Sequence, residues 1–178
     1  MKYFDELKRT MEWIAQQPKT IFIGQTVAGP GTFMFQTLRD VPKDRTWEMP
    51  INESFQMQFT IGVALAGYVP VSVYPRQNFL LLATGDMVNM LDKIPAISGG
   101  QLLPKVLIRV AVGPDAPVHP GHQHVGNYAE GFRKMLGWIE VVELNEPEEI
   151  FPAYQHALER SDNKSTLLIE HGNYYNQK

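Results

Sequence analysis

Trp47 to Gly67 reads W-E-M-P-I-N-E-S-F-Q-M-Q-F-T-I-G-V-A-L-A-G, and both ends of this stretch carry structural signals. Pro50 predicts an extended entry, because proline disfavours the helical conformation for the residue before it. Asn52 suits a helix N-cap, since its side-chain oxygen can accept from an unpaired amide of the first turn. Gly67 stands where a left-handed residue ends a helix. The stretch therefore predicts a helix with Glu53 in its first turn.

After its first turn, this predicted helix consists largely of small or apolar residues. Apolar or small residues recur at helical spacing, at Phe55, Phe59, Gly62, Val63 and Ala66. Glu53 is the acidic exception. A carboxylate in a first turn is favoured by the helix macrodipole and needs no further role.

A family resemblance gives Glu53 a second interpretation. The runs Met49-Pro-Ile-Asn-Glu53 and Gly62-x-Ala64-x-Ala66-Gly67-x-x-Pro70-Val71 resemble the pyrimidine-binding domain of thiamine-diphosphate-dependent enzymes. The nearest pattern is that of the beta subunit of 2-oxo acid dehydrogenases, followed by transketolase. In that family the glutamate at this place hydrogen-bonds the aminopyrimidine ring of the cofactor. The resemblance covers about residues 21–174.

Length and composition predict one α/β domain. The chain has 178 residues, of which 44% are hydrophobic and 20% charged, and this length suffices for one ordinary core. Predicted strands and helices alternate along the chain, which favours a mostly parallel twisted sheet with helices on both faces. We expect a single pyrimidine-binding domain over residues 1–178.

Charge and hydropathy narrow the class of protein further. The formal net charge of -3 gives no basic footprint for nucleic acid, and the absence of cysteine excludes disulfides. The start M-K-Y-F-D-E-L-K-R-T has no apolar signal-peptide core. The longest apolar run, Thr60 to Val73, falls short of the ~20 residues that a membrane span requires. We expect a soluble cytoplasmic protein.

Phe79 follows a predicted strand and has two interpretations. It could be a core aromatic residue, the commonest place for phenylalanine. It could also stack on a flat heterocycle. The resembling family places a phenylalanine 26 residues after its glutamate, the same separation as between Glu53 and Phe79. The resemblance therefore implies that Phe79 binds the cofactor. Arg76 and Asn78 flank it at a strand end, where sites of such sheets lie.

Three histidines occur in six residues, at His119, His122 and His124. Imidazole is a common zinc ligand, but the loop is rich in proline and the chain has no cysteine, so we expect no native metal. From the residues alone, solvated loop histidines are the simpler interpretation. The family carries a histidine in this loop before a helix that ends in an aromatic residue. Counting back eight residues from Phe132 selects His124, with His122 as the rival.

The glycine-rich turn from Gly24 to Gly31 could offer amides to an anion. Its spacing fits neither the Walker pattern nor the dinucleotide fingerprint. The resembling family carries an acidic pair here, whereas this chain has Gln25-Thr26. The acidic proton link between active sites that the family uses is therefore not expected.

The resemblance also implies a partner. Enzymes of this family hold the diphosphate through magnesium on a second domain with a G-D-G motif, but Gly85-Asp86-Met87 lacks the second glycine. We therefore expect thiamine diphosphate to be shared with a separate chain that holds the diphosphate and magnesium, in a homo-oligomer or hetero-oligomer.

The function implied is that of the pyrimidine-binding subunit of a split thiamine-diphosphate enzyme, an oxidoreductase or transferase acting on a 2-oxo acid or ketose. Glu53 would activate the aminopyrimidine, Phe79 would hold the ring flat, and His124 would face the substrate as a donor or proton carrier. Two alternatives stay open. One is a non-catalytic module of the same fold used for regulation or assembly, and the other is a metal-binding protein using the histidine loop.

Overall fold

A computed structural model describes residues 2–176, which form alternating strands and helices. The strands are β1 (Thr20–Gly24), β2 (Thr46–Glu48), β3 (Val69–Tyr74), β4 (Leu107–Val112), β5 (Glu140–Glu143) and β6 (Thr166–His171). The helices are α1 (Tyr3–Ala15), α2 (Glu53–Leu65), α3 (Gln77–Leu82), α4 (Thr84–Asp86), α5 (Ile94–Ile97), α6 (Ala129–Met135) and α7 (Pro147–Glu159).

The six strands form one sheet in the order β2-β1-β3-β4-β6-β5, and every neighbouring pair is parallel. The carboxyl ends of the strands therefore meet at one edge, called here the carboxyl edge. The predicted α/β class with a parallel sheet is confirmed. The sequence did not predict β2, a three-residue strand at the side of the sheet.

Helices cover both faces of the sheet. On one face α1 and α7 pack on side chains of β1, β3, β4 and β6, including Phe22, Val71, Leu107 and Leu168. On the other face α2, α3 and α6 pack on Ile108, Val110, Leu167 and Ile169. Because both faces are covered, the central strands are apolar on both sides.

The helix α2 begins and ends as predicted. Asn52 Oδ1 accepts from the amide of Phe55 at 2.9 Å, and Gly67 has φ +88°. The face of α2 that packs on the sheet carries Met57, Ile61 and Ala64.

The residues whose spacing predicts α2 lie mainly on its outer side. Phe55 and Phe59 are 45% and 38% exposed, and their ring centroids are 6.1 Å apart. The ring of Trp47 lies 6.1 Å from Phe59 and 6.5 Å from Tyr68. We call this surface the outer apolar face, and it consists of Trp47, Phe55, Phe59, Gly62, Ala66 and Tyr68.

Two segments depart from regular α-helix. Apolar residues at helical spacing predict one helix to about Lys93, at Leu80, Leu81, Met87, Val88, Met90 and Leu91. This helix is interrupted, because α3 ends at Leu82 and Met87–Leu91 form a π-helical turn. The Thr84 hydroxyl bonds the Leu80 carbonyl at 3.2 Å at the interruption. The segment that follows the glycine-rich turn forms a 3-10 helix, Phe33–Leu38.

A buried ion pair ties two strands to two surface turns. Arg109 on β4 donates to both carboxylate oxygens of Glu170 on β6 at 2.9 Å, and both side chains are fully buried. The same guanidinium donates to the Thr37 hydroxyl at 2.8 Å and to the Tyr175 hydroxyl at 3.2 Å. The pair thereby joins the turn after β1 to the turn after β6.

In residues 2–176, no helix combines the length and apolar character needed to cross a membrane.

Candidate functional site

Glu53 is the first residue of α2, just beyond the carboxyl end of β2, and it is only 7% exposed. Gln25, directly after β1, donates to Glu53 Oε1 at 3.3 Å. The other carboxylate oxygen, Oε2, has no hydrogen bond to residues 2–176. The Tyr74 hydroxyl donates to the Glu53 main-chain carbonyl at 3.3 Å. Glu53 is thus enclosed at the carboxyl edge with one oxygen unused.

Gln56 fixes the first turns of α2 against the sheet. Its side-chain amide donates to the Val73 carbonyl at 3.0 Å and to the Ser72 hydroxyl at 3.2 Å. The Ser72 hydroxyl in turn lies 3.1 Å from the Thr60 hydroxyl. These buried contacts set the position of Glu53 relative to the ends of β1 and β3, because the helix cannot rotate without breaking them.

Phe79 and His124 lie together, although they belong to different connections. Their ring centroids are 5.7 Å apart, with an angle of 42° between the planes, and both side chains are half-buried. Phe79 is in α3, which follows β3, and His124 ends a 3-10 turn after β4. The pair therefore lies beyond the carboxyl ends of two neighbouring strands, at the same edge as Glu53.

The turn between β3 and α3 holds the histidine loop in place. Arg76 Nη1 donates to the carbonyl of Pro114 at 3.0 Å and to the carbonyl of His124 at 3.3 Å. The Gln77 side chain accepts from the Tyr128 amide at 2.5 Å and donates to Asn127 Oδ1 at 3.4 Å. These bonds to the main chain of the loop and to the Asn127 side chain set its position, and none of them involves a histidine ring.

Two buried polar atoms in this region have no partner among the described residues. They are His124 Nδ1 and Asn78 Oδ1. Buried polar atoms in folded proteins are almost always hydrogen-bonded, so unpaired ones call for an explanation. A bound ligand that reaches these atoms would supply the missing contacts.

His122 and His119 have different surroundings from His124. Their rings meet edge to face with centroids 5.4 Å apart, and His122 is exposed. In the described part of the chain, no group of three or more histidine, cysteine, aspartate or glutamate side chains is arranged to hold a metal ion. The absence of a native metal stays a prediction.

The glycine-rich turn offers its amides to a side chain of the same protein. The Glu48 carboxylate accepts from the amides of Val27 and Ala28 at 3.0 Å each, and also from the amide of Thr26. Sequence reasoning missed Glu48. No local signal could have found it, because the contact depends on β2 lying beside β1. These donors are therefore occupied without an external anion.

A cavity of about 440 Å³ lies at the carboxyl edge but apart from Glu53, Phe79 and His124. Its walls come from α1 and from the turns after β1, β4 and β6. They include Phe4, Phe33, Pro114, Pro117 and Tyr175.

Comparison with known proteins gives a consistent result. No protein-family model matches the chain. Over 180 residues it is 26% identical to the pyruvate dehydrogenase E1 component subunit beta of Gracilaria tenuistipitata var. liui, covering 98% of this chain and 54% of that protein. Among solved structures, a split-gene transketolase, an inactive beta4 tetramer, matches with a TM-score of 0.69 and 15% identity, covering 94% of this chain and 50% of that one.

The resemblance to the pyrimidine-binding domain of thiamine-diphosphate-dependent enzymes is confirmed. The chain spans about half the length of both proteins that it matches. The three residues to which the resemblance gives a role, Glu53, Phe79 and His124, all lie at the carboxyl edge. Phe79 and His124 are in contact, and Glu53 lies beyond the adjoining strands.

Proposed function

We propose that this chain is the pyrimidine-binding subunit of a thiamine-diphosphate-dependent oxidoreductase or transferase. The diphosphate and magnesium are held on a separate chain. The observation that carries the proposal is the contact of Phe79 with His124 at the edge where the enclosed Glu53 keeps Oε2 without a partner. The similarity to a pyruvate dehydrogenase beta subunit supports the same assignment.

The residues present fit an aminopyrimidine. The ring has nitrogen atoms that exchange hydrogen bonds with a carboxyl group, and Glu53 Oε2 is available for this. Gln25 holds Oε1 from the side of β1, so the carboxyl group is oriented before any ligand arrives. Phe79 offers an aromatic face, which pairs with flat heterocycles in offset or tilted geometry.

When bound, thiamine diphosphate would supply a nucleophilic carbon for a substrate carbonyl and a sink for negative charge. Glu53 holds and returns a proton at the ring nitrogen, as a positioned general acid and base. The His124 ring lies 5.7 Å from that of Phe79, and its imidazole would donate or accept a proton at the substrate oxygen. Gln25 and Arg76 position these two groups through the contacts described above.

The substrate class that fits this chemistry is a 2-oxo acid or a ketose, since both present a carbonyl carbon to the cofactor.

A non-catalytic module of the same fold is the second candidate. Gln25 in place of an acidic residue favours it, because the family's acidic link between sites is absent. The retained Glu53 and Phe79 favour the catalytic function, because a purely structural module needs neither. Metal binding through the histidine loop has no supporting cluster in residues 2–176.

The surface of the molecule, like its site, supports association with another chain. The outer apolar face is contiguous, and apolar patches of this kind mark protein contacts. The solved split-gene transketolase is an assembly of beta chains. We propose that copies of this chain meet through the outer apolar face, while the carboxyl edge receives the diphosphate-binding chain.

Calorimetry tests the two-chain site. The purified chain alone should bind thiamine diphosphate with magnesium weakly or not at all, because it holds only the pyrimidine half. Adding a chain that carries the G-D-G motif, sought first in a neighbouring gene, should give tight binding with one cofactor for each pair of chains. Tight binding by the lone chain would overturn the two-chain proposal.

A further inference from the structure

The orientation of the Arg76 guanidinium is fixed, but only one of its three nitrogen atoms donates a hydrogen bond to the described residues. Nη1 donates to the Pro114 and His124 carbonyls, and the guanidinium carbon lies 5.5 Å from the centroid of the Phe33 ring. Nε and Nη2 make no hydrogen bond to residues 2–176. The edge of the guanidinium that carries Nε and Nη2 is therefore free to bind a ligand.

No carboxylate of the described residues forms an ion pair with Arg76. Four other arginines are paired in this way: Arg9, Arg109, Arg133 and Arg160. Burial lowers the pKa of the Arg76 guanidinium, and no acidic group offsets this. A partly desolvated cation without an anion is unfavourable, so the surroundings favour an anionic ligand.

The neighbourhood of Arg76 is that of the proposed site. The carbonyl that it holds belongs to His124, whose ring lies against Phe79 and whose Nδ1 has no partner. Asn78, two residues further along the chain, carries the other unpaired buried atom. An anion on the open edge of Arg76 would therefore lie near the imidazole and the amide.

We propose that Arg76 recognises the anionic group of the substrate, a carboxylate or a phosphate, and thereby determines substrate specificity. This rests on the proposed function, since it assumes that the substrate enters beside His124. A guanidinium suits both anions because its planar fork donates two parallel hydrogen bonds. A 2-oxo acid would present its carboxylate to Arg76, and a sugar phosphate its phosphate.

The test is an anion titration of the isolated chain, followed by NMR through the ring protons of His124. Pyruvate and inorganic phosphate are the probes, and sodium chloride at equal ionic strength corrects for general screening. No cofactor or partner is needed, so the result is independent of whether thiamine diphosphate binds. Wild-type protein should show saturable shifts with at least one probe. Stronger binding of pyruvate points to 2-oxo acids, and stronger binding of phosphate points to sugar phosphates.

Arg76→Gln should weaken that binding by about 10-fold or more, the usual scale for a charge-assisted hydrogen bond. Arg76→Lys keeps the charge without the fork, so it should bind with intermediate affinity, and it replaces the glutamine variant if that variant fails to fold. Arg45→Gln is the matched control. Arg45 Nη1 also donates to two carbonyls, those of Gln17 and Thr20, but at the opposite edge of the sheet.

Three results would overturn the proposal. One is the absence of saturable binding of both probes to the wild-type chain. Another is unchanged affinity in the Arg76 variants. The third is an equal loss of affinity in Arg45→Gln, which would mean that the probes respond to net charge alone.

Discussion

His122 and His124 are two residues apart, yet their side chains have different surroundings. His124 lies against Phe79, and its carbonyl is held by Arg76, whereas the exposed His122 ring meets only His119 among the described aromatic groups. Counting along the sequence had left the choice between them open. The contact with Phe79 favours His124 as the residue that faces the substrate.

At the scale of the residue, we predict that substitutions of His124 and His122 have different effects on turnover. His124→Ala should lower turnover of the chain with the proposed diphosphate-binding chain by about 100-fold, the usual scale for a positioned acid or base. His122→Ala is the matched control and should leave turnover unchanged. Steady-state kinetics of both variants measure this. Equal losses, or a larger loss in the His122 variant, would contradict the assignment of His124.

Short-range rules predicted the helix start that carries Glu53, whereas the roles of Glu53, Phe79 and His124 were implied by the family resemblance. Asn52, Glu53 and Gly67 follow from helix-end chemistry, which depends only on neighbouring residues. The contacts of Gln25 with Glu53 and of Glu48 with the glycine-rich turn join residues of separate strand ends. They depend on which strands are neighbours, and strand order is not encoded in local pattern.

At the scale of elements, α2 shows the same limit. Its position could be predicted, but not which side would face the sheet. The helix carries apolar residues on both sides. Phe55 and Phe59 are exposed to solvent, whereas Met57 and Ile61 are buried against the sheet. Periodicity identifies a buried side only where the other side is polar.

Gly62 within α2 and Gly67 just beyond it give a matched test of the helix end. Neither Gly62 nor Gly67 has a heavy atom within 4 Å of an added Cβ, so only the backbone distinguishes them. Gly67→Ala should destabilise the protein by about 1 kcal/mol, because φ is +88°. Gly62→Ala should stabilise it by about 0.5–1 kcal/mol, because Gly62 lies inside the helix. Urea denaturation at matched protein concentration measures both changes, and the same sign for both would contradict this account of the helix end.

At the scale of the whole molecule, alternation of strands and helices predicted the parallel sheet. The order β2-β1-β3-β4-β6-β5 could not be predicted, since several orders bury the same apolar strands. The buried Arg109–Glu170 pair joins β4 to β6 in that order. Its partners are 61 residues apart in sequence, and no local signal relates them.

Association of the chain with itself should depend on the outer apolar face. Phe59→Gln should shift the mass measured by light scattering towards the monomer, because it places an amide among Trp47, Phe55 and Tyr68. Ile97→Gln is the control, since Ile97 is 79% exposed on a different helix. A monomeric wild-type protein, or an oligomer unaffected by Phe59→Gln, would contradict the proposed contact.

The proposed catalytic role of Glu53 is tested most directly by Glu53→Gln in the reconstituted pair of chains, with the melting temperature measured on the same sample. Glutamine suits a first helical turn to within a few tenths of a kcal/mol, so the fold should be retained. Glu148→Gln is the control, because Glu148 is an exposed first-turn glutamate of α7. Turnover should fall by about 100-fold or more in Glu53→Gln and stay unchanged in Glu148→Gln. Full turnover of Glu53→Gln at an unchanged melting temperature would contradict the account and leave Glu53 as a helix-end carboxylate.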